Sequence, residues 1–319
     1  MRTFWYIERM DLRQLRYFLA IYEERSVSRA AAALNIAQSA MSLHVAKLEQ
    51  ELSTALFIRQ PRGMIPTASG ERLSQHARAI LRALDAARDD IQQAGREVSG
   101  DISVGMGHSA MKTIGVSFMT RIVTNYPLVN LSVSERLSFP TLLKVLRAEV
   151  DIAVIYNPPN DPQLLSTPIL DEEMGCVGLP ELVGDTSDPI DFDDVLTLRL
   201  VLLQQGVASR ALLKDTSLLK KLESRAVLQL NSVQGIAGAV MAGLGCAVAT
   251  RTIMRDELAT GRLRYRPITS PTLLRTLCLC RLADRPATFL TETVSQVLHT
   301  LIEEAVRDGT WPVVLHPNP

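Results

Sequence analysis

Apolar positions step through the first part of the chain with helical spacing. Leu12, Leu15, Phe18, Leu19 and Tyr22 share one face of the segment 11–25, which predicts an amphipathic helix with Asp11 as its N-cap. A short second helix over 28–34 follows, capped by Ser26 or Ser28 and closed by Asn35. "IAQS" opens a third helix to about Ser53, where Met41, Val45, Leu48 and Leu52 define the buried face. At about 100° per residue, Ser39, Ser42, Leu43 and Ala46 point the other way, with Gln38 at the exposed N-terminal end. "ALFIRQPRGMIPTASG" (55–70) then reads as a hairpin: "LFIR", the turn "QPRG" and the returning "MIP". Three helices and a hairpin describe a winged helix-turn-helix.

Thr67 begins a long helix to about Glu97. Leu73, Ala77, Ile80, Leu84, Ala87, Ile91 and Ala94 alternate steps of four and three, the seam of a helix that pairs with a second helix. From "SGDISVG" (99–105) the pattern changes to alternating strands and helices: strand 101–106, helix 109–124, strand 129–134, helix 139–148, strand 151–156. Further strands are expected near 176–179, 199–204, 226–230, 244–249 and 275–281, with helices near 209–222, 233–242 and 287–306. This is α/β patterning. The Pro-bearing stretches 157–170 and 262–274 are read as crossovers between two lobes, and "GTWPVVLHPNP" as a poorly ordered tail. The expected division is 1–66, 67–98 and 99–319, with lobe I at about 99–165 and 272–308 and lobe II at about 166–271.

Composition adds little to this picture except where charge is uneven. The 319 residues carry no formal net charge, but residues 1–100 hold 14 Lys/Arg against 11 Asp/Glu, a mildly basic balance that suits a polyanion. Cys176, Cys246, Cys278 and Cys280 lack zinc-ribbon spacing and read as buried small residues in a reducing compartment. The five histidines form no paired motif, so neither a metal nor a cofactor is expected. "MRTFWYIERM" lacks a secretory pattern, and no window approaches the roughly 18 apolar residues of a membrane span, so a cytoplasmic protein without a membrane partner is expected. Met10 offers a second start.

Polar residues on an exposed helix face are usually only solvated; the hairpin that follows gives these ones meaning. Gln38 can pair with adenine through two hydrogen bonds, Ser39 and Ser42 can donate to phosphates or base edges, and Leu43 or Ala46 can touch a thymine methyl. Arg59 and Arg62 flank the turn and suit phosphate or minor-groove contact, with Lys47, Thr67 and Ser28 beside them. The small side chains of residues 30–33 would let the supporting helix approach closely.

From Asp11 to Gly70 the chain resembles the N-terminal domain of LysR-type transcriptional regulators. The Phe18 helix, "AAAALNIAQSAMS", "LEQEL", "LFIR" and the Thr67–Gly70 segment stand in order, and the resemblance runs through the long helix into the α/β region. "HARAIL", "SGDISVG" and "DIAVIY" are most similar to the nitrogen assimilation control subgroup. The resemblance implies α/β architecture with an N-terminal winged helix-turn-helix, and a two-lobed effector domain resembling periplasmic solute-binding proteins. It implies double-stranded DNA, a second copy of the chain (dimer or tetramer), a small-molecule effector and RNA polymerase as partners, and no catalytic residues. Matching positions place Gly107, His108, Ser109, Ser138, Phe139, Gln204, Gly206, Ser209, Asn231 and Ser232 around the effector cleft. Ser109, Ser138 and Ser209 read equally well as plain helix caps. Ser39 and Thr250 stand where the family often has Pro, and "RAEVD" (147–151) replaces a commoner Gly-containing turn.

"GMGHSA" (105–110) also fits the dinucleotide fingerprint G-x-G-x-x-A, with Glu135 after the next strand. The alternative it raises is a cytoplasmic NAD(P)-binding enzyme. A solute-binding protein is a third reading, opposed by the N-terminal helices and the missing secretory pattern.

Overall fold

The computed structural model describes residues 10–61, 63–92, 97–203 and 215–316. The chain divides into two compact units, Met1–Ala94 and Gly95–Pro319.

In the first unit, α1 (Leu12–Glu24) starts on a capping box. The Asp11 carboxylate accepts the Gln14 N–H, and Gln14 Oε1 accepts the Asp11 N–H, both at 2.7 Å. α2 (Val27–Ala33) is capped by Ser26, and α3 (Gln38–Glu51) follows a turn closed by Asn35 at φ 53°. Leu15, Phe18 and Ile21 of α1 pack with Ala30, Ala31, Met41, Val45 and Leu48. Only Ala30 and Ala31 of the alanine run face this core; Ala32 and Ala33 are exposed, so close helix approach rests on two alanines rather than four. β1 (Phe57–Gln60) pairs antiparallel with β2 (Gly63–Pro66). Glu49 ties this wing to α3 by accepting the N–H groups of Leu56 at 2.7 Å and Phe57 at 3.2 Å. Met64 N–H donates to Arg25 O at 2.9 Å and so fastens the wing to the end of α1. α4 (Ala68–Gln92) begins where Thr67 Oγ1 accepts the Gly70 N–H at 3.0 Å. Of the heptad seam, Leu73 and Ala77 are buried in the core of this unit, Leu84 is half-buried, and Ile80 and Ala87 are exposed. The side chains of Ile91 and Ala94 lie outside the described residues.

In the second unit, β3 (Ser99–Met106) runs into α5 (His108–Ala110), a π-turn (Met111–Gly115) and α6 (Val116–Asn125). Then come β4 (Leu128–Glu135), α7 (Ser138–Leu146), β5 (Ile152–Tyr156) and β6 (Leu164–Glu173). The chain crosses over at Met174 into β7 (Gly175–Gly178), α8 (Pro180–Val183), β8 (Ile190–Asp191), α9 (Phe192–Val195) and β9 (Leu200–Leu203). α10 (Thr216–Ser224), β10 (Ala226–Leu230), α11 (Val233–Met241), β11 (Ala247–Ala249), α12 (Arg255–Ala259) and β12 (Arg264–Thr269) follow. The return brings β13 (Leu274–Leu282), α13 (Phe289–Arg307) and β14 (Val314–Leu315). Lobe I is the sheet β14-β6-β13-β5-β3-β4, in which β3 runs parallel to β4 and β5 and β13 runs antiparallel to β5 and β6. Lobe II is built on β11-β7-β12-β8 and the parallel pair β10-β9, linked by the bridge from Leu200 to Cys246. The two crossings bond to each other where Met174 N–H donates to Leu273 O at 2.8 Å.

Three expectations change. The stretches 157–170 and 262–274 are partly strand, because β6 and β12 tolerate their prolines, and the second still holds a crossing, at Leu273. Pro168 sits at a bulge: Leu277 faces Leu170 and Cys278 faces Pro168, leaving Ile169 as the extra residue. The lobe boundary therefore falls at Met174 rather than near 165, since 166–173 belongs to the lobe I sheet. As far as His316 the C-terminal stretch is not a loose tail: Trp311 is fully buried and β14 adds a strand to β6, while 317–319 lie outside the described residues. Ala148, in the turn lacking the family's glycine, adopts φ 56°.

Candidate functional site

The first site is the outer face of α3. Met41, Val45 and Leu48 point inward, which leaves Gln38, Ser39, Leu43, Ala46 and Lys47 exposed and Ser42 half-buried. Leu43 is 71% exposed. Ala37 at the N-cap makes no side-chain hydrogen bond, so no side chain caps the first turn at the end where Gln38 and Ser39 stand. Arg59 is exposed on β1, and Ser28 is exposed on α2, its hydroxyl 3.1 Å from that of Ser26. The Thr67 hydroxyl is occupied within the domain: it donates to Ala55 O at 2.7 Å while capping α4. Arg62 lies outside the described residues.

The second site is a cavity between the lobes, with about 700 Å³ of open space including its mouth. It lies beyond the carboxyl ends of β3 and β5, where α/β sheets place ligands. His108, Ser109, Leu137, Ser138, Tyr156 and Arg275 line it from lobe I, and Met174 from a crossing. From lobe II come Val201 to Leu203, Val233, Ile236, Val248, Ala249, Ile253 and Met254. Of the residues expected there, His108, Ser109 and Ser138 reach the cavity, while Phe139 packs against the apolar cluster under α7. Gly107 donates its N–H to Val154 O at 2.8 Å behind the wall. Asn231 and Ser232 are exposed, and Ser232 caps α11, leaving Val233 and Ile236 to face the space. Gln204, Gly206 and Ser209 lie outside the described residues.

In the cavity wall lies a charged cluster that the sequence reading, which named only Ser109 and Thr250 of it, did not assemble. Arg275 and Glu172 form an ion pair at 2.6 Å, with side chains 7% and 3% exposed. Arg275 also donates to Ser109 Oγ at 2.6 Å and Thr250 Oγ1 at 3.2 Å, and its guanidinium lies 3.7 Å from the Tyr156 ring centroid. Glu172 further accepts from Tyr156 Oη at 2.7 Å and Trp311 Nε1 at 3.3 Å. Burial opposes ionisation of Glu172, but the Arg275 charge and hydrogen bonds from Thr252 and Tyr156 outweigh it and hold the carboxyl below its ordinary value. Burial, reinforced by the Glu172 charge, pushes the Tyr156 phenol well up, so it stays a donor. Thr250, a departure from the family pattern, is thus an acceptor in this cluster; that departure was the one signal in the sequence.

Across the two lobes, Lys112 Nζ donates to Ile253 O at 2.9 Å and pairs with Asp256 at 3.0 Å. His108 is paired through Nδ1 with Glu135, the residue the dinucleotide reading needs for a ribose. Gly105 is explained by packing, since a Cβ there would stand 2.5 Å from Thr141 Cγ2. Among the described residues no group of His, Cys, Asp and Glu could hold a metal ion, and no helix is long and apolar enough to cross a membrane. All four cysteines are buried and none is in a disulfide, and burial pushes the Cys280 thiol up to about 12.

A winged helix-turn-helix followed by a two-lobed α/β domain with a cavity between its lobes defines a DNA-binding regulator with an effector domain. Residues 12–71 match the bacterial regulatory helix-turn-helix protein of the lysR family, and residues 95–302 match the LysR substrate binding domain. The chain belongs to the LysR family of transcriptional regulators. It is 28% identical over 303 residues to the HTH-type transcriptional regulator BbuR of Bordetella bronchiseptica, spanning 95% of this chain and 93% of that one. It is also 28% identical over 294 residues to the nitrogen assimilation regulatory protein nac of Klebsiella aerogenes, spanning 92% and 95%. A full-length OxyR variant from Pseudomonas aeruginosa has the same fold, with TM-score 0.75 and 23% identity over 93% of this chain and 96% of that one. CbnR complexed with its target DNA superposes with TM-score 0.59 and 17% identity, over 93% and 100%. Neither these matches nor the geometry at Gly105 and Glu135 supports an NAD(P)-dependent enzyme.

Proposed function

We propose that this regulator reads double-stranded DNA with Gln38, Ser39, Ser42 and Leu43 in the major groove while Lys47, Arg59 and Arg62 hold phosphates. The observation that carries this is the exposed, small-sided face of α3, with an unpartnered Leu43 and a first turn that no side chain caps. CbnR, solved with its target DNA, supports the same use of the fold. The exposed positions Ile80 and Ala87 of α4 pair two copies of the chain, and each copy then presents one recognition helix. The protein acts in the cytoplasm as a regulator and not as an enzyme. A small molecule in the inter-lobe cavity favours one lobe arrangement, which changes DNA bending or contact with RNA polymerase; this requires different affinity for the two arrangements.

The test is a footprint and a salt-dependent binding curve on the DNA upstream of the protein's own gene. Gln38→Ala loses about 1–3 kcal/mol on the specific site and nothing on unrelated DNA. Arg59→Ala weakens both and lowers the salt slope by about 0.9. If wild type and both variants bind equally and without salt dependence, α3 and the wing do not read DNA.

A further inference from the structure

We infer that Glu49 is a positioning residue for DNA binding: it seats the wing on the recognition helix, so that Arg59 meets phosphates in step with the base contacts of Gln38. This rests on the DNA-reading assignment of α3 and the wing. Gln38 opens α3 and Glu49 stands in its last turn, eleven residues, about 16 Å, along one helix. Among the described residues, Glu49 supplies the only side-chain hydrogen bonds from α3 to the wing and its base. Its Oε1 accepts the Leu56 N–H at 2.7 Å and the Phe57 N–H at 3.2 Å, where β1 begins. Both residues are buried, which makes an unmet N–H there costly. Arg59 follows Phe57 by two residues, about 7 Å along the strand, so a shift at the base of β1 carries it along.

The rest of the hairpin is anchored elsewhere. Met64 N–H donates to Arg25 O at 2.9 Å, and Thr67 N–H donates to Leu56 O at 2.9 Å. Gly63, at φ 131°, admits the Arg25 carbonyl, since a Cβ there would stand 2.4 Å from that oxygen. These bonds tie the hairpin to α1 and to the start of α4, not to α3. Removing Glu49 therefore leaves a hairpin that no hydrogen-bonded side chain seats on the reading helix. Phosphate contacts fix the register in which bases are read, and a contact that must first be ordered gives up affinity. The charge of Glu49 by itself opposes DNA. What the geometry requires is an acceptor: both N–H groups meet one oxygen, and a glutamine supplies one.

The experiment is a pair of double-variant cycles on the full chain, read as affinity and salt slope by fluorescence anisotropy. A duplex of arbitrary sequence reads Arg59→Ala, and the duplex upstream of the protein's own gene reads Gln38→Ala. Glu49→Ala should lower the salt slope by at least about 0.9, and Arg59→Ala should then add nothing. Gln38→Ala should still cost about 5- to 150-fold on the upstream duplex, with or without Glu49. Glu49→Gln should restore the slope and the effect of Arg59→Ala. Partial unfolding lowers every affinity in the Glu49→Ala background by one factor and cancels in each cycle. Should Glu49→Ala fail to fold by circular dichroism, Glu49→Asp, one methylene shorter, replaces it in both cycles. Arg59→Ala costing the same with and without Glu49 overturns the positioning role while the wing remains a phosphate contact. Gln38→Ala losing its effect along with Arg59→Ala makes Glu49 a general stability residue and also overturns it. Stronger binding by both Glu49→Ala and Glu49→Gln leaves only its charge at work, which again overturns it. Arg59→Ala without effect in wild type, or no binding of either duplex, overturns the inference together with the DNA-reading assignment.

Discussion

Replacing Glu172 by Gln is the sharpest test of how lobe I is held together. The wild-type carboxylate accepts from Arg275 Nε at 3.0 Å and Nη2 at 2.6 Å, from Tyr156 Oη at 2.7 Å and from Trp311 Nε1 at 3.3 Å. A glutamine has one acceptor oxygen, so its NH₂ group must face at least one of these donors. The larger loss is electrostatic. Arg275 is 6% exposed and keeps its charge, and breaking one side of a buried pair costs about 3–5 kcal/mol. In a unit of this size each kcal/mol moves the midpoint by about 2–4 °C, so the melting transition of Gly95–Pro319 should fall by about 6–20 °C. Scanning calorimetry of the full chain measures it. The double variant Glu172→Gln, Arg275→Met removes the stranded charge and should recover at least about 2 kcal/mol of the loss. A single variant melting within about 2 °C of wild type, or a double variant whose cost equals the sum of the two singles, would refute the assignment of a stranded charge.

The same pair gives a pH dependence. The Arg275 charge and the hydrogen bonds of the cluster hold the Glu172 carboxyl below its ordinary value in the folded chain, so between its folded and unfolded values the unfolded state binds more protons. This stability is present above the ordinary carboxylate range and is lost as pH falls through the depressed folded value; acid melts of wild type should show this slope and Arg275→Met should flatten it. Gly70→Ala should destabilise the first unit by about 1–3 kcal/mol, because the new Cβ would stand 2.2 Å from the Leu56 carbonyl oxygen; chemical denaturation of the full chain reads this. Ile80→Glu, at a position 39% exposed on α4, should weaken self-association at least about tenfold in sedimentation while leaving the first unit folded. Lys112→Met removes the contacts to Ile253 O and Asp256 and should increase hydrogen exchange around α12, with little change in the core strands.

Sequence by itself determined the elements whose signal is local. The apolar steps of α1 and α3, the Asp11 cap and the "QPRG" turn each lie within a few residues, and one buried face per helix leaves the reading face of α3 defined by exclusion. Positions matched to the resembled family put His108, Ser109 and Ser138 around a cleft, and all three line the cavity at the carboxyl ends of strands, where ligands gather. Strands β6 and β12 were hidden because Pro168 and Pro267 argue against strand until a bulge and a neighbour are known. The cluster of Ser109, Tyr156, Glu172, Thr250, Arg275 and Trp311 could be assembled only by the tertiary structure. Its directly bonded partners stand as far apart as 166 residues, and apart from Ser109 and Thr250 each is unremarkable where it stands. Whether Arg275 is a free cation awaiting an anion or one already neutralised depends on where Glu172 lies, and burial in a low-dielectric interior makes that placement decisive.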